Sequence, residues 1–203
     1  MIGPAQSVAE PAELFPSLRL IQPKTLRVAV VATWRTSLEA SPYDDPHDVP
    51  QNPLLLRRSL CLHVNEVADR ALEMYVAAME KGVNVDRDVL LAAVLLHDVD
   101  KPSLYRVVDG EFAWADGRGS DDHGPLGARL ALANGIPERV AQLIAYHSPF
   151  SPHGPDAGSA ESTILHYADL TASDIAMLAC GQTPLYARTR IVQGGSATEV
   201  MVS

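Results

Sequence analysis

The 203-residue sequence has only two cysteines, Cys61 and Cys180, far apart and without CxxC spacing. They offer no disulfide framework and point to a reducing compartment, the cytoplasm by default. Long apolar runs are lacking too. The longest, Val89 to Leu96, falls far short of the roughly 20 residues a membrane span needs. The opening segment MIGPAQSVAEPAELFP has neither a basic n-region nor a long apolar h-region, so it does not read as a secretory signal. Basic residues are sparse: 16 Lys and Arg stand against 25 Asp and Glu, the net charge is −9, and Arg57-Arg58 is the one basic doublet. That balance argues against a nucleic-acid polymer as partner, which calls for a basic face or stripe. No internal repeat and no low-complexity block occurs. What is abundant is core material. A hydrophobic fraction of 47% supports one folded domain with extensions at its ends.

Residues 1–25 carry no sustained pattern. Leu26 to Ala32 (LRVAVVA) fits a strand or a short buried helix equally well, and the proline-rich stretch 41–53 reads as a loop. From there the chain is helical. Segment 58–81 shows helical spacing of Leu60, Val64, Val67, Ala71 and Met74, with Gly82 as its stop. Asp86 is placed to cap a second helix, from Arg87 to about Val99. Tyr105 to Trp114 (YRVVDGEFAW) has Asp109-Gly110 between β-branched and aromatic residues, a hairpin signal. A third helix is expected from about Pro125 to Asn134 and a fourth from Pro137 to about Ser148. Then come a loop over 149–160 and a fifth helix from about Ser162 to Ala179. The tail 182–203 shows a few β-prone residues and no clear element.

On this map the metal-capable groups are ordered. His63 lies early in the first helix, His97-Asp98 close the second, His123 precedes the third, His147 ends the fourth and Asp169 is mid-way along the fifth. Imidazole and carboxylate suit Mn, Fe, Co, Ni and Zn, and bundled helices can aim such groups at one point. Four histidines and two aspartates suffice for two divalent ions, with Asp98 placed to bridge them. The other histidines fit plainer roles: His166 in the core, although it shares the helical face of Asp169 and so could touch the site, and His47 and His153 solvated. Glu66 suits a surface salt bridge, and Asp121-Asp122 a helix cap.

The segment LLAAVLLHDVDKP resembles the apolar helix ending in HD-x-x-K of the HD-domain phosphohydrolases. CLHVNEVADRALEM is similar to that family's first helix, HGPLGARLALANGIPERVAQLIAYHS to its H-G-x-x-G-A … H segment, and ILHYADLTASD to its closing Y-A-D helix. The likeness covers roughly residues 58–175. It implies an all-α HD-domain helical bundle with a small β-hairpin inserted after the HD helix, spanning 56–181, with an N-terminal extension (1–55) and a C-terminal tail (182–203). It implies that His63, His97, Asp98 and Asp169 ligate a core metal, that His123 and His147 complete a second site, and that Lys101 assists catalysis beside Asp98. Arg58 resembles a basic residue often found before the family's first His. The cofactor expected is a divalent transition metal as two ions (Fe, Mn, Co, Ni or Zn).

The activity implied is hydrolysis of a phosphomonoester, phosphodiester or phosphoanhydride of a nucleotide-like small molecule by a metal-activated hydroxide. Two subfamilies are similar: the symmetrical dinucleoside tetraphosphate hydrolases, and the HD domain of bacterial CCA-adding enzymes, which hydrolyses phosphomonoesters and 2′,3′-cyclic phosphates. This chain departs from both at Val99-Asp100, where small or apolar residues are common, and in lacking an Arg after the final Asp motif. A diiron oxygenase cleaving C–C or C–P bonds, or a non-catalytic metal-binding sensor, remains open on the same ligands. The partner expected is a phosphorylated small molecule, with no membrane and with homo-oligomerisation left open.

Overall fold

The computed structural model describes residues 11–148, 158–192 and 199–202, and these open with a one-turn helix α1 (Pro11–Leu14), a 3-10 helix (Pro16–Leu20) and helix α2 (Lys24–Glu39). The ambiguous stretch Leu26–Ala32 thus lies inside a helix. Its buried positions Leu26, Ala29, Val30, Thr33, Trp34, Ser37 and Leu38 follow helical spacing, but that period emerges only when the window is extended past Ala32.

Helix α3 (Leu60–Glu80) starts where the Ser59 hydroxyl accepts the Leu62 N–H. Helix α4 (Arg87–Leu96) starts where the Asp86 carboxylate accepts the Asp88 and Val89 N–H groups. Both are side-chain N-caps that satisfy otherwise orphaned donors. Every residue from Leu90 to Leu96 is buried, as expected of a helix enclosed on all sides. It ends earlier than its sequence pattern suggests, because His97 and Asp98 leave the helix in a turn. One further turn of helix, α5 (Lys101–Leu104), follows.

Strands β1 (Tyr105–Val108) and β2 (Glu111–Trp114) form the expected hairpin, with Tyr105 paired to Trp114. Its two central residues, Asp109 at φ 53° and Gly110 at φ 84°, have the left-handed backbone a two-residue hairpin requires. Helices α6 (Pro125–Ala133), α7 (Glu138–Ala145) and α8 (Ala160–Ala179) complete the bundle. The tail is more ordered than its sequence suggests: a short helix α9 (Leu185–Arg188) leads to β3 (Thr189–Val192), which pairs antiparallel with β4 (Glu199–Val202). The fold is thus mostly helical, with the small hairpin after the HD turn. Most of the loop expected over 149–160, including His153, lies outside the described residues.

The main core gathers residues of α2, α3, α4, α6, α7 and α8, together with Phe15, Leu18 and Ile21 ahead of α2. The N-terminal segment is part of this core and reaches the HD turn. Trp34, fully buried, stacks on Phe15 at 5.0 Å and donates its indole N–H to Leu95 O at 2.8 Å. The Ser37 hydroxyl donates to Val99 O. A helix end leaves carbonyls without intrahelical donors; α2 supplies two such donors around His97 and Asp98. Among the described residues no helix is long and apolar enough to cross a membrane.

Candidate metal centre

His63 sits on α3, His97 and Asp98 in the turn after α4, His123 just before α6, His147 just after α7 and Asp169 on α8. The fold brings all six together. Their ligand-capable atoms form two groups, His63/His97/Asp169 and Asp98/His123/His147, each with its atoms within 4.8 Å of one another.

Asp98 faces both groups with different oxygens. Its Oδ2 lies 3.3 Å from His63 Nε2 and 3.3 Å from His97 Nε2, while its Oδ1 lies 3.4 Å from His123 Nε2 and 3.8 Å from His147 Nε2. Asp169 Oδ1 lies 3.1 Å from His63 Nε2 and 3.9 Å from His97 Nε2. Nitrogen and oxygen ligands at ~2.0–2.2 Å from a common ion sit about 3–3.5 Å from each other, close to the separations in the first group.

The donor chemistry fits a metal as well. His97 Nδ1 lies 2.7 Å from Val94 O, His147 Nδ1 2.7 Å from Ile144 O and His123 Nδ1 2.9 Å from Asp100 Oδ1. Each acceptor holds the proton of a neutral ring on Nδ1 and leaves the Nε2 lone pair facing the cluster. His63 Nδ1 meets the Gln51 side-chain amide at 3.2 Å, and Gln51 Oε1 is buried without a hydrogen-bond partner. A half-turn of that amide sets Oε1 against Nδ1 and brings His63 into the same state as the other three.

Burial and mutual charge shift the cluster's protonation. Burial disfavours charge on Asp98, yet its neighbours His97 and Lys101 outweigh it and hold the carboxyl well below the usual carboxylate range. For Asp169, burial is outweighed by hydrogen bonding to His63 and by the nearby His97, and its pKa is also lowered. Burial lowers His63, but hydrogen bonds to Asp169 and Asp98 raise it by more. His123 is raised despite burial, mainly by Asp100. His147 moves oppositely: burial first, then His123 and His97, push it down to about 4. Both carboxylates are thus held ionised and His147 neutral, as a cation needs, while His63 and His123, whose carboxylate neighbours favour the protonated ring, give up that proton on binding one.

Lys101 is buried beside the cluster. Its Nζ donates to Asp98 Oδ2 at 2.5 Å and to Gln51 O at 2.7 Å. Burial alone would lower its pKa, but Asp98 raises it above the ordinary lysine value, so the ammonium persists.

A cavity of about 320 Å³ opens onto this chemistry, and Asp98, Lys101, His123 and Asp169 are in its wall. The hairpin contributes Tyr105 and Trp114, and the opposite elements Leu54, Leu170 and Leu185. Tyr105, Phe112 and Trp114 pack edge to face, with Trp114 centroids 5.5 and 5.2 Å from the other two.

Several contributors carry no strong sequence signal. Gln51 lies in the proline-rich loop and touches His63 only through the fold. Asp100 stands out in sequence only as a departure from the family pattern. His166, expected in the core, instead lines the cavity, half-buried, with Nδ1 3.3 Å from His147 O. Glu66 pairs with Arg58, as a salt-bridge role for Glu66 predicts. His47 pairs with Asp45 on the surface. Asp122 caps a short 3-10 turn, accepting from Gly119 N at 3.0 Å, rather than the helix that follows.

Comparison with known proteins gives this arrangement a lineage. The HD domain family matches residues 61–174. Dihydroneopterin 2′,3′-cyclic phosphate phosphodiesterase of Methanocaldococcus jannaschii is 36% identical over 124 residues, which cover 58% of this chain and 49% of the relative. The chain therefore spans about half the length of that curated relative. No solved structure matches significantly. The family match takes in more than half of the 203 residues and includes all six residues of the histidine and aspartate cluster, and the protein belongs to the HD-domain family.

Proposed function

We propose that this protein is a metal-dependent phosphohydrolase acting on a phosphate ester of a nucleotide-like small molecule, with a cyclic phosphodiester the favoured form. In this reading His63, His97, Asp98 and Asp169 hold one divalent transition metal ion, and Asp98, His123 and His147 hold a second. The observation that carries the reading is the division of Asp98: Oδ2 faces His63 and His97, Oδ1 faces His123 and His147. A carboxylate set this way between two groups of imidazole Nε2 atoms is suited to bridging. Two divalent ions supply a lowered water pKa and Lewis acidity at phosphoryl oxygens.

The chain's own residues organise the rest. Lys101, by donating to Asp98 Oδ2 and Gln51 O, holds the Asp98 carboxylate in its divided orientation and keeps a positive charge at the cavity wall, where a phosphoryl group is attracted. Burial pushes the Tyr105 phenol up to about 12 against the opposing pull of Lys101, so its hydroxyl remains a donor at neutral pH. In hydrolysis of a 2′,3′-cyclic phosphate, the oxygen of water forms a new P–O bond, one ring P–O bond breaks, and the departing alkoxide takes up a proton. The product is a monoester. The cavity's volume of about 320 Å³ falls at the lower end of small-molecule sites, about 300–1,000 Å³. Its indole and leucine walls suit a flat ring carried by the phosphate ester. The relative's substrate, a cyclic phosphate of a pterin, supports the same choice.

The test joins metal analysis of the purified protein with a substrate panel: 2′,3′-cyclic nucleotides, dihydroneopterin 2′,3′-cyclic phosphate, nucleoside monophosphates, dinucleoside tetraphosphates and p-nitrophenyl phosphate. We expect two ions per chain and turnover of the cyclic phosphates. Full metal loading with no phosphate released or ring opened from any compound would reject hydrolysis and bring forward the oxygenase alternative.

A further inference from the structure

We propose that Asp100 is a positioning residue for His123: its carboxylate fixes the imidazole with the proton on Nδ1 and the Nε2 lone pair turned toward Asp98. The consequence for metal uptake at the His123/His147 group rests on the two-ion reading; the tautomer itself does not.

Asp100 is fully buried, and both its oxygens are engaged. Oδ1 lies 2.9 Å from His123 Nδ1, while Oδ2 accepts the Gly124 N–H at 2.7 Å and the Gly127 N–H at 3.2 Å. The other ring nitrogen of His123 lies 3.4 Å from Asp98 Oδ1. A buried carboxylate is tolerated where donors satisfy it, and here the donors define what the residue must be. The two backbone N–H groups can only donate, so Oδ2 must be an acceptor. His123 can place its inner nitrogen as a donor to Oδ1 only by carrying its proton on Nδ1.

The backbone side of this contact cannot easily move. Gly124 has φ +85°, and a Cβ there would lie 2.8 Å from Ala145 O, so the turn is held against the end of α7 while Asp100 holds it from the other side. At Gly127 a Cβ would meet Ile144 Cγ2 at 3.1 Å and Asp100 Oδ2 at 3.3 Å. Helix α6 is thus seated closely on the HD turn, and His123 is presented from a fixed backbone.

Asparagine has nearly the same shape as aspartate but offers one acceptor and one donor group. In Asp100→Asn the two backbone N–H groups claim the oxygen. The amide NH₂ then faces His123 Nδ1, which must accept, and the ring proton moves to Nε2. A protonated Nε2 offers no lone pair to a metal ion and points a donor at Asp98. A carboxylate that sets the tautomer of a histidine acts through that histidine and not on substrate.

The test uses the full chain labelled with ¹⁵N-histidine, metal-free, with long-range ¹H–¹⁵N correlation spectra recorded at rising pH until the His123 shifts are those of a neutral ring. His123 is assigned by its loss in His123→Ala. We expect the Nδ1–H tautomer at His123 in the wild type and the Nε2–H tautomer in Asp100→Asn, with His63 and His97 unchanged. An Nε2–H tautomer in the wild type overturns the proposal without recourse to any variant, and so does an unchanged His123 in a folded Asp100→Asn. Zinc titration of the same samples reads the consequence. The wild type should take up two ions, and Asp100→Asn should bind the second about 10–100-fold more weakly, with no further loss when it is combined with His123→Ala. Failure of the wild type to take up zinc would reject the two-ion reading, while the tautomer result would still decide the role of Asp100.

Discussion

Replacing Lys101 by methionine separates the cost of an unpaired buried carboxylate from the effect of a bound cation. Lys101 is 6% exposed; its Nζ lies 2.5 Å from Asp98 Oδ2 and 2.7 Å from Gln51 O. Methionine keeps most of the apolar stem and removes the charge. In metal-free protein Asp98 then loses the ammonium that donates to it, and Gln51 O loses its donor. Breaking a buried ion pair by removing one partner costs about 3–5 kcal/mol. At about 2–4 °C per kcal/mol for a domain of this size, the melting temperature should fall by roughly 10 °C. With divalent ions bound, positive charge is restored beside Asp98 from the His63/His97 side, and the deficit should shrink to about half or less. The assay is thermal unfolding of wild type and Lys101→Met, each measured in chelator and in saturating manganese or zinc. An equal or larger deficit in the loaded protein would show that Lys101 and the ions do not share Asp98, and the proposed site would have to be redrawn. Should Lys101 instead act only by touching phosphate, neither melting temperature would move.

The site makes other measurable predictions. His97→Ala should abolish bound metal at the His63/Asp169 group, whereas His123→Ala and His147→Ala should each lower stoichiometry from two ions to one in elemental analysis; unchanged content in all three would reject both groups. Trp114→Ala should raise KM for a cyclic nucleotide by about tenfold, as expected from the ~1–3 kcal/mol of a base stacked on an aromatic side chain, and leave KM for a small non-aromatic cyclic phosphate within about twofold; equal effects on both would remove the ring-binding role of the hairpin. In metal-free protein, folded His147 takes a proton only near 4, whereas an unfolded histidine takes one near ~6.5. The unfolded chain therefore binds more protons between those values, and this residue's contribution to stability rises with pH across that window and is lost below it, up to about 3 kcal/mol. Urea unfolding in chelator at pH 4.5 and 7 should show a smaller pH difference in His147→Gln than in wild type; an equal difference would mean that His147 is not buried neutral.

Much of the bundle can be read from its sequence because the signals are local. Asp86 and the hairpin pair Asp109-Gly110 act within a few residues of the structure they specify, and the apolar period of α3 runs uninterrupted over several turns. Where the reading is incomplete, the deciding interaction comes from elsewhere in the chain. Leu26–Ala32 is apolar at almost every position, and its helical period shows only with the residues past Ala32, where Trp34 and Ser37 reach Leu95 O and Val99 O. The early end of α4 has the same kind of cause. His97 turns its Nδ1 back to Val94 O and α2 supplies donors to Leu95 O and Val99 O, which lets the HD pair leave the helix while those carbonyls remain satisfied.

The same distinction governs the site. The six metal-capable residues are legible because each is an unusual type at a helix end or on a helix face, and because their order matches a known family. The residues that orient them are common types with no period. Gln51 comes from a proline-rich loop twelve positions before His63, and nothing in that loop marks it. Asp100 is two residues beyond Asp98, where sequence alone shows one more acidic residue in an acidic chain. Placed in the fold, the two carboxylates divide the work: Asp98 opens toward the cluster, while Asp100 is closed off by a histidine and two backbone N–H groups. The departure from the family pattern at Val99-Asp100 is therefore where this chain's second histidine group receives its orientation. A metal centre built this way should bind its second ion more weakly after an isosteric change at a residue that never touches metal.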